Sequence, residues 1–308
     1  MGGIIWVVIL FVLVALTAGV LVRISPFRRL GIDESVMPAA TAVTERIRLR
    51  NLLALVAAIV VGAALVWFAF SVRSDLGRTL FLAPILSAAT GILFFSVIPA
   101  FRESAAVRSA DLAPRTPLSF ANRRTFVLAG IFLAVVVAVV IACGVVATSH
   151  GRSFTRQSPL FTMAAGPFPG FFYGVPVLAA AALLAGVVVL AVVRIARAPR
   201  PSDDGLRDAD SALRRLAIGV VLRAAAAGCA ATVAGFLFLA SNAVNSVSGG
   251  IEQNGLNGPE IPPDTVLQVL AVLGHIGAAI FVVVALVFAI TAVSGALRKP
   301  LELLVAPA

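Results

Sequence analysis

The sequence predicts an all-α protein, a single bundle of seven helices that cross a membrane. Hydrophobic residues make up 60% of the 308 residues and charged residues only 12%, whereas soluble domains hold roughly 45–50% and about 25%. Seven segments of membrane-spanning length carry almost no charge, and arginines crowd the loops on one side of the predicted bundle. These observations exclude an ordinary soluble protein.

The predicted spans are residues 3–22, 52–70, 80–100, 126–148, 171–193, 216–240 and 266–297. A helix needs about 20 apolar residues to cross a hydrocarbon layer about 30 Å thick, and each segment is long enough. The first segment has no basic residue before it and exceeds the apolar region of a signal peptide, so we interpret it as an anchor. Arg223 is the one charged residue within these segments.

The arginines predict the orientation, because positive side chains near spans are retained on the cytoplasmic side. The first, third and fifth loops hold most of the basic residues, whereas the second and fourth hold only Arg73, Arg78, Arg152 and Arg156. We therefore expect the N-terminus outside and the C-terminus in the cytoplasm. The net charge of +10 then lies on the cytoplasmic face, where it attracts anionic inner-leaflet lipids.

The loops and motifs exclude several function classes. The longest segment between spans, residues 23–51, is too short for a domain of about 50 residues or more, so we expect residues 1–308 to form one transmembrane domain without a soluble domain. No phosphate-loop, zinc-protease or nucleophile motif is present. Cys143 and Cys229 lie in spans without metal-ligand spacing. We expect no catalytic activity, no cofactor and no metal, with an intramembrane enzyme as a third possibility.

Nucleic acid is not an expected partner, although the chain is strongly basic. The arginines are spread over short loops that flank spans, and no loop interleaves aromatic residues with them. The retention of positive charge on one side of a membrane explains the basicity without such a partner. The expected surroundings are the lipid bilayer and its anionic lipids.

Two ionisable residues within the spans, Arg223 and His275, are the candidate functional residues. Arg223 lies seven residues after Leu216, or about 10 Å along a helix, so it either extends to the cytoplasmic interface or contacts a buried substrate or lipid. His275 is either an interfacial or packed neutral imidazole or a proton-sensitive gate. The two residues lie toward opposite ends of consecutive antiparallel spans, so we do not expect them to pair.

The fourth predicted loop contains a candidate outer lid, the turn formed by Gly166, Pro167, Phe168, Pro169 and Gly170. Aromatic residues follow it at the start of the fifth span, as is typical of a membrane interface. The uncharged segment is interpreted either as a loop in the headgroup region or as a lid over the mouth of the bundle.

A row of small residues in the sixth span, Ala227, Ala231 and Gly235, is a candidate helix-packing surface. Small residues four positions apart let helices approach closely. We expect the row to face another helix, either within the chain or in a partner.

Two cytoplasmic segments share a pattern, VRSADLAPR at residues 107–115 and LRDADSALR at residues 206–214. Each precedes a predicted span that runs outward, which fits a repeated two-helix unit. Chance similarity in a chain rich in alanine and arginine is the alternative.

The same residues carry a family resemblance. The pattern of Arg108, Ala110, Asp111, Leu112 and Arg115, the turn at residues 166–170 and the segment at 212–215 resemble a group of uncharacterised multi-pass membrane proteins of actinobacteria. The resemblance implies the plasma membrane of a Gram-positive bacterium. It implies no activity, substrate or catalytic residue.

Two functions follow as hypotheses. The first is a non-catalytic structural or accessory subunit, which packs against another membrane protein or a second copy; it is motivated by the nearly apolar spans and the small-residue row. The second is a permease for a small molecule or lipid, with the outer turn as a lid. It is motivated by Pro84, Pro99 and Pro176 in the spans, because proline breaks backbone hydrogen bonds and opens cavities.

Overall fold

The computed structural model describes residues 37–72, 75–97, 122–158, 161–198, 207–249 and 262–297. These residues are predominantly helical, and all six helices are long and apolar enough to cross a membrane. The helices are α1 Met37–Ser71, α2 Arg78–Val97, α3 Arg123–Val146, α4 Phe171–Arg197, α5 Arg207–Ser248 and α6 Thr265–Leu297. Two strands, β1 Phe154–Ser158 and β2 Phe161–Ala165, join α3 to α4.

Each predicted span from the second to the seventh coincides with one of these helices, and the predicted first span, residues 3–22, lies outside the described residues. Two helices extend well beyond their predicted spans. α1 has 35 residues and α5 has 42, so α5 is about 63 Å long at 1.5 Å per residue. The additional turns at the start of each helix are rich in alanine and arginine, which favour helix but not the hydrocarbon.

Side-chain caps fix the ends of several helices. The Asp75 carboxylate accepts hydrogen bonds from the backbone N–H and the hydroxyl of Thr79, at 3.0 and 2.7 Å, in the turn before α2. The Asn122 side chain accepts from the N–H of Arg124 at the start of α3. Asp264 accepts from the first N–H groups of α6. Such caps satisfy N–H groups that have no partner within the helix.

The central helix of the described bundle is α5, which packs against α2, α3, α4, α6 and both strands. α1 packs mainly on α2. Consecutive helices run antiparallel, so one end of the bundle carries the strands and the other carries most of the described arginines. We call them the hairpin end, which includes Asp75 and Asp264, and the arginine end, which includes Arg50 and Arg223.

The strands form an antiparallel hairpin, in which Phe154 pairs with Ala165 and Ser158 with Phe161. These strands were not predicted, because five-residue strands leave little periodicity to detect. A lone two-stranded hairpin is only marginally stable. Here Arg156 holds it to the bundle by hydrogen bonds to the carbonyls of Val247 and Pro262, at 3.3 and 3.1 Å, and by an ion pair with Asp264 at 3.7 Å.

Candidate functional site

The two candidate residues of the sequence analysis both lie along the contact between α5 and α6, which we call the α5–α6 seam. Glycines of α6 allow the close approach. A Cβ atom added to Gly274 would overlap the hydroxyl of Ser241, and one added to Gly295 would lie 3.0 Å from a methyl group of Val220. The two helices are therefore in close contact at both of these positions.

Buried small residues also recur at a fixed interval along α6, which packs mainly on α5. Ala271, Ala278, Ala285 and Ala292 are all buried and lie seven residues apart. A seven-residue interval keeps side chains on one face of a helix that packs along a neighbour. The alanines let α6 lie close to α5 over most of its length.

The predicted small-residue row lies on α5. Ala227, Ala231 and Gly235 are each half-buried, and a Cβ on Gly235 would lie 3.9 Å from the Phe81 ring of α2, an ordinary van der Waals distance. Gly228 makes a closer approach. A Cβ there would lie 2.8 Å from the Ala88 side chain and 3.0 Å from the Pro84 carbonyl, so the tightest contact between α2 and α5 is one residue away from the row.

His275 links the two helices toward the hairpin end. Its Nδ1 lies 2.8 Å from the Ala271 carbonyl oxygen, to which an Nδ1–H donates, and its Nε2 lies 3.2 Å from the side-chain oxygen Oδ1 of Asn242. A neutral ring that donates at Nδ1 accepts at Nε2, so the second bond forms when the Asn242 amide is turned to present its N–H. The Phe238 ring packs edge-on against the imidazole at 5.8 Å. His275 thus has partners on both helices of the seam.

Arg223 lines a cavity of about 430 Å³ at the arginine end of the seam. The other residues of its wall are Leu216, Val287, Phe288, Thr291, Ser294 and Gly295. One guanidinium nitrogen lies 3.8 Å from the Cβ position of Gly295. The wall therefore combines one cation and two hydroxyls with apolar groups, and we call this space the Arg223 cavity.

Arg223 and the Asn242–His275 pair mark two levels along α5. Nineteen residues separate Arg223 from Asn242, which corresponds to about 28 Å in a helix and matches a hydrocarbon thickness of about 30 Å. No charged residue lies between them on α5. The two polar positions are therefore spaced like the two boundaries of a bilayer, and they are too far apart to contact each other.

A second, smaller cavity of about 110 Å³ lies on the other side of the α6 terminus. α1, α2, α5 and α6 all contribute to its wall, which is almost wholly apolar; Phe95, Ile92 and Ala292 are among its lining residues. It therefore offers no polar recognition.

The turn predicted as an outer lid lies at the hairpin end. Gly166 and Pro167 are exposed, whereas Pro169 and Gly170 are buried. A Cβ on Gly170 would lie 2.7 Å from the Gly151 carbonyl oxygen. The turn is thus packed onto the loop after α3, and the Arg223 cavity lies at the other end of the bundle.

Three arginines of the hairpin end, predicted from the sequence only as loop charges, have specific contacts. The guanidinium groups of Arg78 and Arg152 lie 4.2 and 5.1 Å from the centre of the Phe172 ring, within cation–π range. Arg156 holds the hairpin, as described above. Tyr173, beside Phe172, donates its hydroxyl to the Leu76 carbonyl at 3.2 Å. These arginines join the strands and loops of the hairpin end to the helices.

The arginine end contains two buried polar pairs that were not predicted from the sequence. Arg214 donates to the Asp210 carboxylate at 2.8 Å and to the carbonyls of Ile195 and Ala196 at the end of α4. Arg50 stacks on Phe95 at 4.0 Å, and Nε donates to Asn51. The spacing of Asp210 and Arg214, one helical turn, is a signal that could have identified the first pair.

The described part of the chain contains no group of three or more metal-ligating side chains. Cys229 is buried in α5 and Cys143 is half-buried in α3, each with a free thiol. Comparison of the chain with family models, with curated proteins and with solved structures found no match. The resemblance to actinobacterial membrane proteins therefore stays a prediction.

Proposed function

We propose that the chain is a bacterial plasma-membrane protein that acts without catalysis, as a structural or accessory subunit packed against another membrane protein or a second copy. The closely fitted α5–α6 seam is the observation that carries this proposal. α5 and α6 are in close contact at Gly274 and Gly295, and His275 has hydrogen-bond partners on both helices. A fixed bundle of this kind suits a protein that supports an assembly.

The close contact along the seam is an argument against transport, because carriers work by moving one group of helices against another. Separating α5 from α6 here exposes the buried alanines and breaks the contact between His275 and Asn242. A permease for a lipid or small molecule is nevertheless the second candidate. The Arg223 cavity favours it, since a cavity with a cation, hydroxyls and apolar walls suits an amphipathic ligand.

A reversible cross-link of the seam separates the two functions. The Cβ of Ser241 lies 3.3 Å from the Cβ position of Gly274, close to the range of about 3.5–4.5 Å seen in disulfides. The double variant Ser241→Cys/Gly274→Cys, made in a chain with Cys143→Ala and Cys229→Ala, should form a disulfide on oxidation. The cysteine-free parent is the control.

For an accessory subunit we expect two results. Native mass spectrometry of mildly extracted membranes should find the chain in a discrete assembly heavier than its own 31.7 kDa, oxidised or reduced. Liposomes containing the variant should translocate fluorescent phospholipids no faster than empty ones. A monomer that translocates lipid or solute when reduced, and stops when oxidised, would contradict the accessory function and support the permease.

We also propose that the arginine end faces the cytoplasm. Basic residues of α1, α3, α4 and α5 lie at this end, including Arg50, Arg124, Arg197 and Arg215, and positive charge is retained on the cytoplasmic side. The three described arginines of the hairpin end make contacts that hold the structure together. These contacts explain why some positive charge lies on the side that we propose to be outside.

Single cysteines on exposed residues test this orientation. In whole cells, a membrane-impermeant maleimide should label Gln157→Cys in β1 and should leave Arg124→Cys in α3 unlabelled until the membrane is opened. Both residues are exposed in the structure, so each serves as the control for the other. Labelling of Arg124→Cys alone in intact cells would reverse the proposed orientation.

A further inference from the structure

We infer that the Arg223 cavity binds the phosphate group of an anionic phospholipid from the leaflet at the arginine end. The inference goes beyond the accessory function, because it names a ligand site that either proposed function could contain. It rests on the charge of the wall, on the depth of the cavity and on the apolar surface next to it.

The size of the cavity suits part of a lipid. Its volume of about 430 Å³ falls in the range of about 300–1,000 Å³ for small-molecule sites and is far above the volume needed for a single water. The apolar cavity at the same end is about a quarter as large, and the described residues of its wall are uncharged. Of the two, only the Arg223 cavity combines space with charge.

Among the described residues, the wall carries one positive charge and no carboxylate. Arg223 makes no hydrogen bond or ion pair within the described chain, in contrast to Arg214, which binds Asp210. A guanidinium presents five N–H donors in a planar fork that fits two oxygens of one phosphate. An unpaired guanidinium at the edge of the hydrocarbon therefore favours an oxyanion ligand.

Two hydroxyls extend the polar wall. Those of Thr291 and Ser294 donate to the carbonyls of Phe288 and Thr291 within α6, at 3.0 and 3.2 Å. A hydroxyl rotates about its C–O bond, so each can turn its proton toward an anion in the cavity. Together with Arg223 they provide donors from two helices around one space.

The depth of Arg223 in the bilayer favours a lipid phosphate over a soluble anion as the ligand. Arg223 lies beside Gly295, two residues before α6 ends at Leu297, and thus near the boundary of the hydrocarbon, where lipid phosphates lie. Val287, also in the wall, is 53% exposed on the outer surface of α6. A phospholipid whose phosphate binds Arg223 can therefore place an acyl chain along the Val287 side of the helix. Basic sites between helices at this level bind anionic headgroups in other membrane proteins.

Native mass spectrometry of the full chain, released from nanodiscs of phosphatidylcholine with phosphatidylglycerol, tests the inference. We expect the parent to retain one phosphatidylglycerol and the Arg223→Gln variant to lose about tenfold or more in affinity, because hydrogen bonds between charged groups are the strong ones. Arg223→Lys should recover part of the binding. The matched control is Arg215→Gln, two turns earlier on α5 and exposed, which should bind as the parent does.

A second variant covers the case in which Arg223→Gln does not fold. Ser294→Phe keeps the charge and fills the cavity, so it should also lose the retained lipid. Equal binding by parent, Arg223→Gln and Ser294→Phe would overturn the inference. An equal loss in Arg223→Gln and Arg215→Gln would overturn it too, since it would show attraction to surface charge alone. Displacement of the lipid by millimolar inorganic phosphate would identify a soluble anion as the ligand and overturn the lipid assignment.

Discussion

Replacing Arg214 with alanine should destabilise the bundle by about 3–5 kcal/mol, the usual cost of removing one partner from a buried ion pair. Asp210 is 1% exposed and Arg214 is 5% exposed, so water cannot replace the lost partner. The other carboxylate oxygen of Asp210 already has no hydrogen-bond partner within the described chain. The variant therefore leaves a buried charge with little compensation.

Arg214 has a second role that increases the expected loss. Its Nη1 donates to the carbonyls of Ile195 and Ala196, at 2.7 and 3.1 Å, and α4 ends at Arg197. The last carbonyls of a helix have no partner within it. Arg214 thus joins the start of α5 to the end of α4, and both contacts disappear in the variant.

The measurement is unfolding of the purified protein in mixed micelles with increasing dodecyl sulfate, followed by circular dichroism. Arg215→Ala is the matched control, because Arg215 is the next residue and is exposed; we expect a change within about 0.5 kcal/mol. The double variant Asp210→Ala/Arg214→Ala should be more stable than the sum of the single changes predicts. Equal stability of Arg214→Ala and Arg215→Ala would contradict a structural role for the pair.

Hydrophobicity was sufficient to predict where the helices lie, but not where they end. The runs without charge located the six described helices, because charge is excluded from the hydrocarbon. The starts of α1 and α5 were missed because the turns there leave the apolar region while remaining helical. The hairpin was missed because its stability comes from Arg156 and Asp264, residues that are more than 100 positions apart in the chain.

The candidate site was predictable only in part. Arg223 was selected because it is a charge within a span, and His275 because it is an ionisable group there. Their neighbours across the seam could not be predicted. Asn242 of α5 lies opposite His275, and Gly295 of α6 lies opposite Arg223, but nothing in a single sequence gives the register between α5 and α6. The sequence does contain one signal for the face of α6 that packs, the seven-residue interval of Ala271, Ala278, Ala285 and Ala292.

Replacing Gly228 with leucine should push α2 and α5 apart and destabilise the protein by about 1–3 kcal/mol or more, the typical cost of overfilling a packed interior. The contact leaves no room for adjustment. A Cβ on Gly228 would lie 2.8 Å from the Ala88 side chain and 3.0 Å from the Pro84 carbonyl, and the latter is a backbone atom that moves only with α2 itself.

Alanine substitutions at two glycines of α5 give the sharpest form of this prediction. No described residue that packs against α5 lies within 4 Å of the Cβ position of Gly219, so Gly219→Ala should stabilise the protein by about 0.5–1 kcal/mol through the lower backbone entropy of alanine in the unfolded state. Gly228→Ala brings the same entropic gain, but the steric cost of the contacts with Ala88 and Pro84 should exceed that gain, so the variant should be less stable than the parent.

The same dodecyl sulfate titration measures both variants. Equal stabilisation by the two substitutions would show that α2 and α5 are farther apart than the structure has them, and a loss of stability in both would mean that Gly219 also faces a neighbour.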